Sequence, residues 1–211
     1  MKIVFEDEYT MYRIGMELLL MELFAHEENL HFMMMDKDTV TQANIIIKKF
    51  VAGESFLCQP LLKTRAKNCL VVGVYEGHTT PDCTELPLCI SDIVFINRVD
   101  SPYKIKAMIS SGWQRSQLDT QWPSEKNCLD CRHQTLTPQQ VSVATHFFRG
   151  EETHTIARKM HINCKTVSSH KYTIMKKFHV STDQDLLILL HLVKRQRVLP
   201  NLFREGLNLC R

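Results

Sequence analysis

Residues 165–177 carry a dense set of hydroxyl and amine side chains with no carboxylate among them. The set consists of Lys165, Thr166, Ser168, Ser169, Lys171, Tyr172, Lys176 and Lys177. The phosphate groups of nucleic acid attract amines and repel acids, so this composition favours contact with a nucleic acid. The set therefore identifies a candidate DNA-binding segment.

Side-chain length divides this set by role. The side chains long enough to contact phosphates are Lys165, Lys171 and Lys176. Thr166 stands at the start of a predicted helix, where hydroxyl and backbone N–H groups can hold an anion. The candidates for contact with base edges are Ser168, Ser169 and Tyr172. A serine hydroxyl both donates and accepts, so the preferred base stays open.

The spacing of apolar residues predicts the elements that position this set. Val167, His170, Ile174 and Phe178 recur at helical spacing and predict a helix over about 165–178. A shorter helix is predicted over about 153–160, and the four residues between the two helices are few enough for a helix-turn-helix. In that geometry the second helix lies in the major groove of DNA. Further helices are predicted from a Thr137 cap to residue 149 and over about 182–193.

Several short stretches carry a family resemblance: Leu136-Thr137-Pro138, Gly150, Ile156-Ala157, Ile162, the run 165–171 and the run 174–178. Together they resemble the LuxR/GerE-type DNA-binding domain over about 58 residues. The resemblance implies an all-α, four-helix domain over 136–193 that binds double-stranded DNA. Gln140 stands where the family usually has glutamate, and His161 where it usually has glycine, so we expect slight strain in the turn.

The fourth helix of this family commonly forms a dimer contact. Its apolar face here would offer Leu186, Leu189, Leu190 and Val193. Such a face also packs within its own domain, so both uses stay open.

Charge is distributed unevenly along the chain. From Leu136 onward there are 12 basic and 5 acidic residues, whereas the preceding 135 residues carry 14 and 18. The excess of positive charge in the C-terminal part is consistent with a polyanionic partner. We place an N-terminal domain at 1–113, a polar linker at 114–135 and a C-terminal tail at 194–211.

The N-terminal part predicts an α/β domain with a parallel sheet, because short apolar strands alternate with helices. The predicted strands cover 2–6, 32–35, 69–75 and 92–97. The predicted helices cover 10–25, 39–51 and 101–111, the last ending at Gly112. In the first helix, the residues at helical spacing are Met11, Ile14, Leu18, Met21 and Phe24.

This pattern resembles an eroded receiver domain of response regulators. Glu6 and Asp7 end the first strand, where receivers place an acidic pair that binds Mg²⁺, and Arg98 ends the last, where receivers keep a lysine. These three residues form a vestigial receiver pocket. The strand 69–75 has no aspartate at its end, and Asp36 is the only candidate acceptor of a phosphoryl group. The phosphorylation pocket is therefore incomplete, and we expect regulation that is independent of phosphorylation. A switch through Asp36 is the alternative, and which strand has been lost stays open.

A degenerate receiver joined to a LuxR-type domain resembles the RcsA-like and BglJ-like accessory regulators of enteric bacteria. This resemblance implies a sequence-specific transcription regulator that acts as a homodimer or as a heterodimer with an RcsB-like response regulator. RNA polymerase is a further candidate partner. A second alternative is an interaction module that captures a partner regulator and contacts DNA only weakly.

Other function classes are disfavoured. The chain lacks an apolar run of membrane-spanning length, and its N-terminus turns acidic too early for a secretory signal, so we expect a cytoplasmic, nucleoid-associated protein. The eight cysteines are interpreted as free thiols. Cys128, Cys131 and His133 give only half of a zinc site. We therefore expect no metal, no cofactor and no enzymatic activity.

Overall fold

The computed structural model describes residues 1–6, 10–77, 81, 86–90, 92–118 and 135–195. The chain divides into two compact units. The first comprises Met1–Phe50 and Gln59–Arg132, and the second comprises Val51–Cys58 and His133–Arg211. The continuous domain predicted at 1–113 differs from this division, because Val51–Cys58 groups with the C-terminal residues. The exact domain boundaries stay a prediction.

The first unit contains a five-stranded sheet in which every strand pairs with its neighbours in parallel. The strand order is β2-β1-β3-β4-β5. The strands are β1 (Lys2–Phe5), β2 (His31–Met34), β3 (Ile45–Phe50), β4 (Leu70–Tyr75) and β5 (Val94–Asn97). The central strands are rich in isoleucine and valine and are almost entirely buried, as expected for a parallel sheet covered on both faces.

In the part of the first unit that the structure describes, the α-helices are α1 (Thr10–Leu23), α2 (Lys37–Gln42) and α3 (Pro102–Leu118). Short 3₁₀ turns lie at Leu61–Thr64 and Leu88–Ile90. Helices α1 and α3 share one hydrophobic core with the sheet, and Leu20, Ile47 and Ile109 all belong to it. This parallel α/β arrangement confirms the predicted fold class of the N-terminal part.

The helix predicted over 39–51 is wrong. The chain there forms the short helix α2, followed directly by β3. Ile45, Ile46 and Ile47 are β-branched and pair on both sides, with β1 and β4, so sheet pairing overrides the helical spacing. With β3 in place, the sheet has all five strands of the receiver-type order β2-β1-β3-β4-β5. The receiver-like domain has therefore not lost a strand, contrary to what the sequence analysis expected.

Helix α1 does not bury the stripe that its spacing suggested. Met11 is 83% exposed and Leu18 is 62% exposed, and Ile14 and Met21 are also exposed. The face that packs on the sheet is formed by Met16, Leu19 and Leu20, together with Phe24 just after the helix, which is the buried member of the suggested stripe. Both faces of α1 are apolar, so spacing alone did not determine which one is buried.

Helix α3 continues through Gly112, where the sequence predicted its end. Gly112 is buried, and a Cβ atom there would lie 2.6 Å from Val94 Cγ2. The glycine thus serves close packing of α3 on the sheet rather than helix termination.

The described residues of the second unit form four α-helices, which confirms the predicted all-α architecture. They are α4 (Pro138–Phe148), α5 (Thr153–Lys159), α6 (Cys164–Lys177) and α7 (Asp183–Arg195). Thr137 caps α4 in a reciprocal arrangement with Gln140. Gly150 adopts a φ of 77°, which suits glycine and ends the helix as predicted.

The segment Val51–Cys58 belongs to this second unit and was not anticipated. It contains a 3₁₀ turn at Glu54–Phe56. Phe56 and Leu57 are buried in the cluster that includes Phe178 and Leu189, and the Phe56 ring stacks on His179 at a centroid distance of 4.7 Å. The segment therefore supplies part of the core around α6 and α7.

No helix within the described ranges combines the length and the apolar character needed to cross a membrane. Among the same residues, no three His, Cys, Asp or Glu side chains are grouped so as to hold a metal ion. The Cys128, Cys131 and His133 motif lies outside the described residues.

Candidate nucleic-acid interface

A short turn joins α5 to α6. The Asn163 side chain caps α6 by accepting a hydrogen bond from the Lys165 N–H at 2.8 Å. The Ile162 N–H donates to the Ala157 carbonyl at 3.0 Å, closing the end of α5. His161 adopts a φ of 54°, in the left-handed region that favours glycine. The expected strain in the turn is therefore present, and it lies at His161.

A small buried cluster fixes α6 against its neighbours. Val167 of α6 packs with Ile156 and Ala157 of α5 and with Val143 of α4. Each of these side chains is at most 5% exposed. Because one face of α6 is held in this way, its opposite face must point to solvent.

The solvent face of α6 carries most of the predicted DNA-binding set. The residues exposed there are Lys165, Thr166, Ser168, Ser169, Tyr172 and Lys176. Tyr172 is 68% exposed, a large value for an aromatic side chain. The helix thus presents hydroxyl and amine groups along one side without an acidic residue in its own sequence.

Lys171 is less available than the rest of the set. Its Nζ lies 2.9 and 2.8 Å from the two carboxylate oxygens of Asp183, at the start of α7. The amine also lies 5.3 Å from the centroid of the Phe147 ring. The predicted contact of Lys171 with phosphate therefore requires exchange of an existing ion pair.

Lys177 was placed on the donor face by the sequence analysis, and that placement is wrong. Its Nζ donates to the Gln140 Oε1 at 3.0 Å and to the Thr135 carbonyl at 2.9 Å. The same Oε1 accepts from the Thr137 N–H at 3.1 Å. Gln140 thus links the cap of α4 to the end of α6.

The apolar face of α7 packs within its own unit. Leu186, Leu189 and Leu190 are each at most 1% exposed and lie in the cluster with Phe178. The sequence analysis left open whether this face forms a dimer contact or packs within its own domain. These three leucines pack within their own domain.

The vestigial receiver pocket contains a lysine that sequence reasoning missed. Lys48 of β3 is 5% exposed, and its Nζ lies 2.8 Å from both carboxylate oxygens of Glu6. Asp7 lies outside the described residues. A lysine within a run of isoleucines was the available signal, because such a side chain is buried only when it is paired.

Arg98 also has a carboxylate partner. Its Nη1 donates to Glu76 Oε1 at 2.5 Å, and Lys49 Nζ lies 3.2 Å from the same oxygen. These hydrogen bonds, with that of Arg98 the stronger, hold the pKa of Glu76 below its usual value. Arg98 and Glu6 are thus each engaged in an ion pair at the end of the sheet.

Asp36 is used as a helix cap. Its Oδ1 accepts from the Thr39 and Asp38 N–H groups at 2.7 and 2.8 Å, and the Thr39 hydroxyl accepts from the Asp36 N–H. The backbone hydrogen bond from Thr39 is the main cause that lowers the pKa of Asp36. The carboxylate stabilises the start of α2.

Comparisons with known proteins identify the helical domain. Residues 134–190 match the family described as bacterial regulatory proteins, luxR family, or GerE. No curated protein sequence matches the chain.

Several solved structures share the fold. RcsB from Salmonella enterica serovar Typhimurium bound to promoter P1flhDC, in the presence of a phosphomimetic, is 17% identical with a TM-score of 0.57, and the match covers 90% of this chain and 97% of that one. A complex of the two-component response regulator RcsB with DNA is 16% identical with a TM-score of 0.53, covering 90% and 98%. At these identities the likeness concerns the fold alone. Residues 134–190 are a DNA-binding helix-turn-helix domain of the luxR family, in a chain whose fold is that of RcsB-like response regulators.

Proposed function

We propose that this protein is a sequence-specific bacterial transcription regulator that places α6 in the major groove of double-stranded DNA. The observation that carries the proposal is the two-sided character of α6. Val167 and Ile174 are buried, whereas the solvent side displays lysine, serine, threonine and tyrosine without an acid. An N-terminal helix turn with exposed donors suits the geometry in which recognition helices read base edges.

The roles within the interface follow from reach. Lys165, Lys171 and Lys176 contact phosphates, and Thr166 in the first turn of α6 holds a phosphate together with backbone N–H groups. The base-reading candidates are Ser168, Ser169 and Tyr172.

We further propose that regulation is independent of phosphorylation. A divalent cation at the acidic end of β1 would have to displace Lys48 from Glu6, and the amine already contacts both carboxylate oxygens. Asp36 is engaged as a helix cap, so phosphorylating it would disrupt the start of α2. Both observations disfavour a switch through Asp36. Phosphoryl transfer requires the acidic pair, the acceptor carboxylate and the cation to lie together in one site.

The proposed regulator works as a homodimer or with an RcsB-like response regulator, in the cytoplasm and on the nucleoid. The same proposal includes a contact with RNA polymerase. It also includes the predicted domain boundaries, which are 1–113, 114–135, 136–193 and 194–211. One of the similar structures is described as two RcsB dimers bound to two parallel DNAs, at 16% identity and a TM-score of 0.51 over 90% of this chain and 98% of that one.

The test begins with selection of bound sequences from a random duplex library by the full chain. The selected duplex is then titrated at several salt concentrations with Lys165→Ala and Ser169→Ala. We expect Lys165→Ala to weaken binding to all duplexes and to lower the salt slope by about 1. Ser169→Ala should change the preference at one position by about 1–3 kcal/mol.

A matched control is Lys104→Ala, which removes an exposed lysine of α3 that is paired with Asp100. It should leave the affinity and the salt slope unchanged. The proposal would be contradicted if no sequence were selected from the library and if the remaining weak binding were the same in both α6 variants. That result would favour the interaction module. Labelling of the wild-type chain by acetyl phosphate and Mg²⁺ would contradict independence from phosphorylation.

A further inference from the structure

The segment Val51–Cys58 is buried although it contains only one short 3₁₀ turn. Every residue from 53 to 58 is buried. Connecting segments normally run over the protein surface, because their backbone polar groups need water. This one satisfies part of its backbone internally, since the Phe56 N–H donates to the Gly53 carbonyl at 3.2 Å. Such a segment is suited to packing in a core.

The core that receives this segment lies at the carboxyl end of α6. Phe56 and Leu57 lie in the cluster that contains Phe178 and Val180. Gly53 approaches the same place very closely. A Cβ atom there would lie 3.0 Å from the Phe178 carbonyl oxygen and 3.0 Å from Val180 Cγ1, and the φ of Gly53 is 80°. Glycine alone combines this conformation with this approach, so the segment packs directly on the backbone that ends α6.

The end of α6 has a conformation that needs support from outside the helix. The Val180 N–H donates to the Met175 carbonyl at 3.0 Å. The His179 N–H donates to the Lys176 carbonyl at 3.3 Å, and the two bonds are those of a helix closed by a left-handed residue. Glycine usually occupies that position, whereas here it is His179 with a φ of 52°. The Phe56 ring stacks on the His179 ring at an interplanar angle of 15° and so helps to hold it.

Helix α6 is thus fixed at two places along its length. Val167 in its first half packs on α5 and α4, whereas Ile174 in its second half lies in the cluster with Phe56. The proposed base-reading residues lie between these two places in the sequence. A helix positions its donors accurately only when packing holds it. The support from Val51–Cys58 therefore bears on DNA contact, although the segment lies outside the family match at 134–190.

We propose that Val51–Cys58 is a fifth element of the DNA-binding domain and that Phe56 is a positioning residue for α6. When the segment is packed on α6 and α7, the end of α6 is fixed and the helix binds DNA. When the segment separates, the end of α6 loosens and the affinity falls. Packing of the segment and DNA binding are then linked, so DNA stabilises the packed segment in return. This inference rests on the proposed function and names a distant part of the chain on which that function depends.

The first experiment measures amide hydrogen exchange of the full chain without DNA. Phe56→Leu keeps an apolar side chain in the cluster but removes the ring stack. From the usual strength of aromatic pairs, we expect the amides of residues 51–58 and of the end of α6 to exchange about 2- to 12-fold faster. Unchanged exchange at the end of α6 would overturn the proposal.

The matched control is Phe24→Leu in the first unit. Phe24 is 4% exposed against 3% for Phe56, and it also makes one close ring contact, with Trp113. The substitution should leave exchange at the end of α6 unchanged. A rise equal to that of Phe56→Leu would mean that any loss of core packing loosens α6, which contradicts a specific role of the segment.

Gly53→Ala tests the same contact from the backbone. Its Cβ would press on the Phe178 carbonyl, so the segment should separate more often. Gly150→Ala is its control, because the φ of Gly150 is 77° and a Cβ atom there meets no atom within 4 Å. For the same loss of Tm, exchange at the end of α6 should rise more in Gly53→Ala. Equal rises in the two variants would contradict the proposal.

The second experiment repeats hydrogen exchange of the wild-type chain with the selected duplex at about 100 times its Kd. Exchange of residues 51–58 should slow by up to about 100-fold, although α6 and not the segment contacts DNA. The amides of β4 in the first unit should keep their rates. Phe56→Ala should weaken binding of the duplex about threefold or more, because fewer molecules have the segment packed.

The outcomes separate this inference from the proposed function. Protection of α6 by the duplex without protection of residues 51–58 would overturn the inference and leave the function standing. A wild-type chain that binds no duplex would contradict the function. In that case the exchange rates without DNA would still decide whether the segment fixes the end of α6.

Discussion

Removing the carboxylate of Asp183 should strengthen DNA binding, because Lys171 must leave Asp183 to reach a phosphate. The two charges lie 2.8 Å apart, with side-chain exposures of 28% for Lys171 and 59% for Asp183. Exposed pairs of this kind contribute about 0.2–1 kcal/mol. If DNA binding must break the pair, Asp183→Asn removes that cost and raises the affinity about 1.4- to 5-fold.

The assay is a fluorescence titration of the selected duplex with four proteins: wild type, Asp183→Asn, Lys171→Ala and the double variant. The gain from Asp183→Asn should disappear when Lys171 is already alanine, because there is then no ion pair to break. Lys171→Ala alone should weaken binding to all sequences and lower the salt slope by about 1.

Two results would refute this reasoning. If Asp183→Asn strengthened binding equally in the Lys171→Ala background, the gain would come from overall charge and not from release of Lys171. If Asp183→Asn left the affinity unchanged, Lys171 would not be a phosphate ligand. Asp183 also opens α7, where a negative charge stabilises the helix by about 0.3–1 kcal/mol, so thermal unfolding must confirm that each variant is folded during the titration.

Three further predictions concern stability. His161→Gly should raise Tm, because relief of a left-handed residue, about 1–2 kcal/mol, exceeds the entropic cost of glycine, about 0.5–1 kcal/mol. Gly112→Ala should lower the free energy of unfolding by about 1–3 kcal/mol in denaturant titrations, because its Cβ would lie 2.6 Å from Val94 Cγ2. Glu151→Gln should reduce the loss of stability in acid, because the hydrogen bond from Lys159 is the main cause that holds the pKa of Glu151 below its usual value. That stabilisation is present above pH 4.5 and is lost as the pH falls through the folded-state pKa, which thermal unfolding across this range measures.

Each of these has a control and a contrary outcome. Gly150→Ala places a side chain at a φ of 77° with open space around it, so it should destabilise through the backbone alone. A lower Tm for His161→Gly would contradict strain at the turn. The control for Gly112→Ala is Gly15→Ala, because a Cβ atom at Gly15 meets no atom within 4 Å and the substitution should raise the free energy of unfolding. A similar rise for Gly112→Ala would contradict the steric argument. Glu152→Gln removes a neighbouring exposed carboxylate, and an acid response equal to that of Glu151→Gln would contradict the pKa argument.

The helix-turn-helix was predictable because its determinants are local. The cap at Thr137, the glycine at position 150 and the four-residue turn are each read from a few neighbouring residues, and they agree with one another. The apolar side of α6 followed from spacing, and Val167 and Ile174 are buried as that spacing indicated. The residues on its opposite side are exposed, as the same spacing predicts, except for Lys177, which bonds to Gln140 and Thr135.

The errors arose where distant parts of the chain decide the structure. Ile45–Phe50 satisfies a helical spacing, yet it forms a strand because β1 and β4 offer partners on both sides. In α1 both faces are apolar, and packing on the sheet chose the one containing Met16 and Leu20. Lys48 is buried because Glu6, 42 residues away in the chain, neutralises it. Local patterns carry no information about such partners.

The placement of Val51–Cys58 among the C-terminal helices means that no single cut divides this chain into two complete pieces. A fragment beginning at residue 133 would lack Phe56 and Leu57, and solvent would reach Phe178 and Leu189, which these residues help to enclose. During synthesis the segment leaves the ribosome long before α6 and α7 exist to receive it. The cluster around Phe178 and Leu189 is therefore completed only after α7 has been synthesised, by a segment that lies far upstream in the sequence.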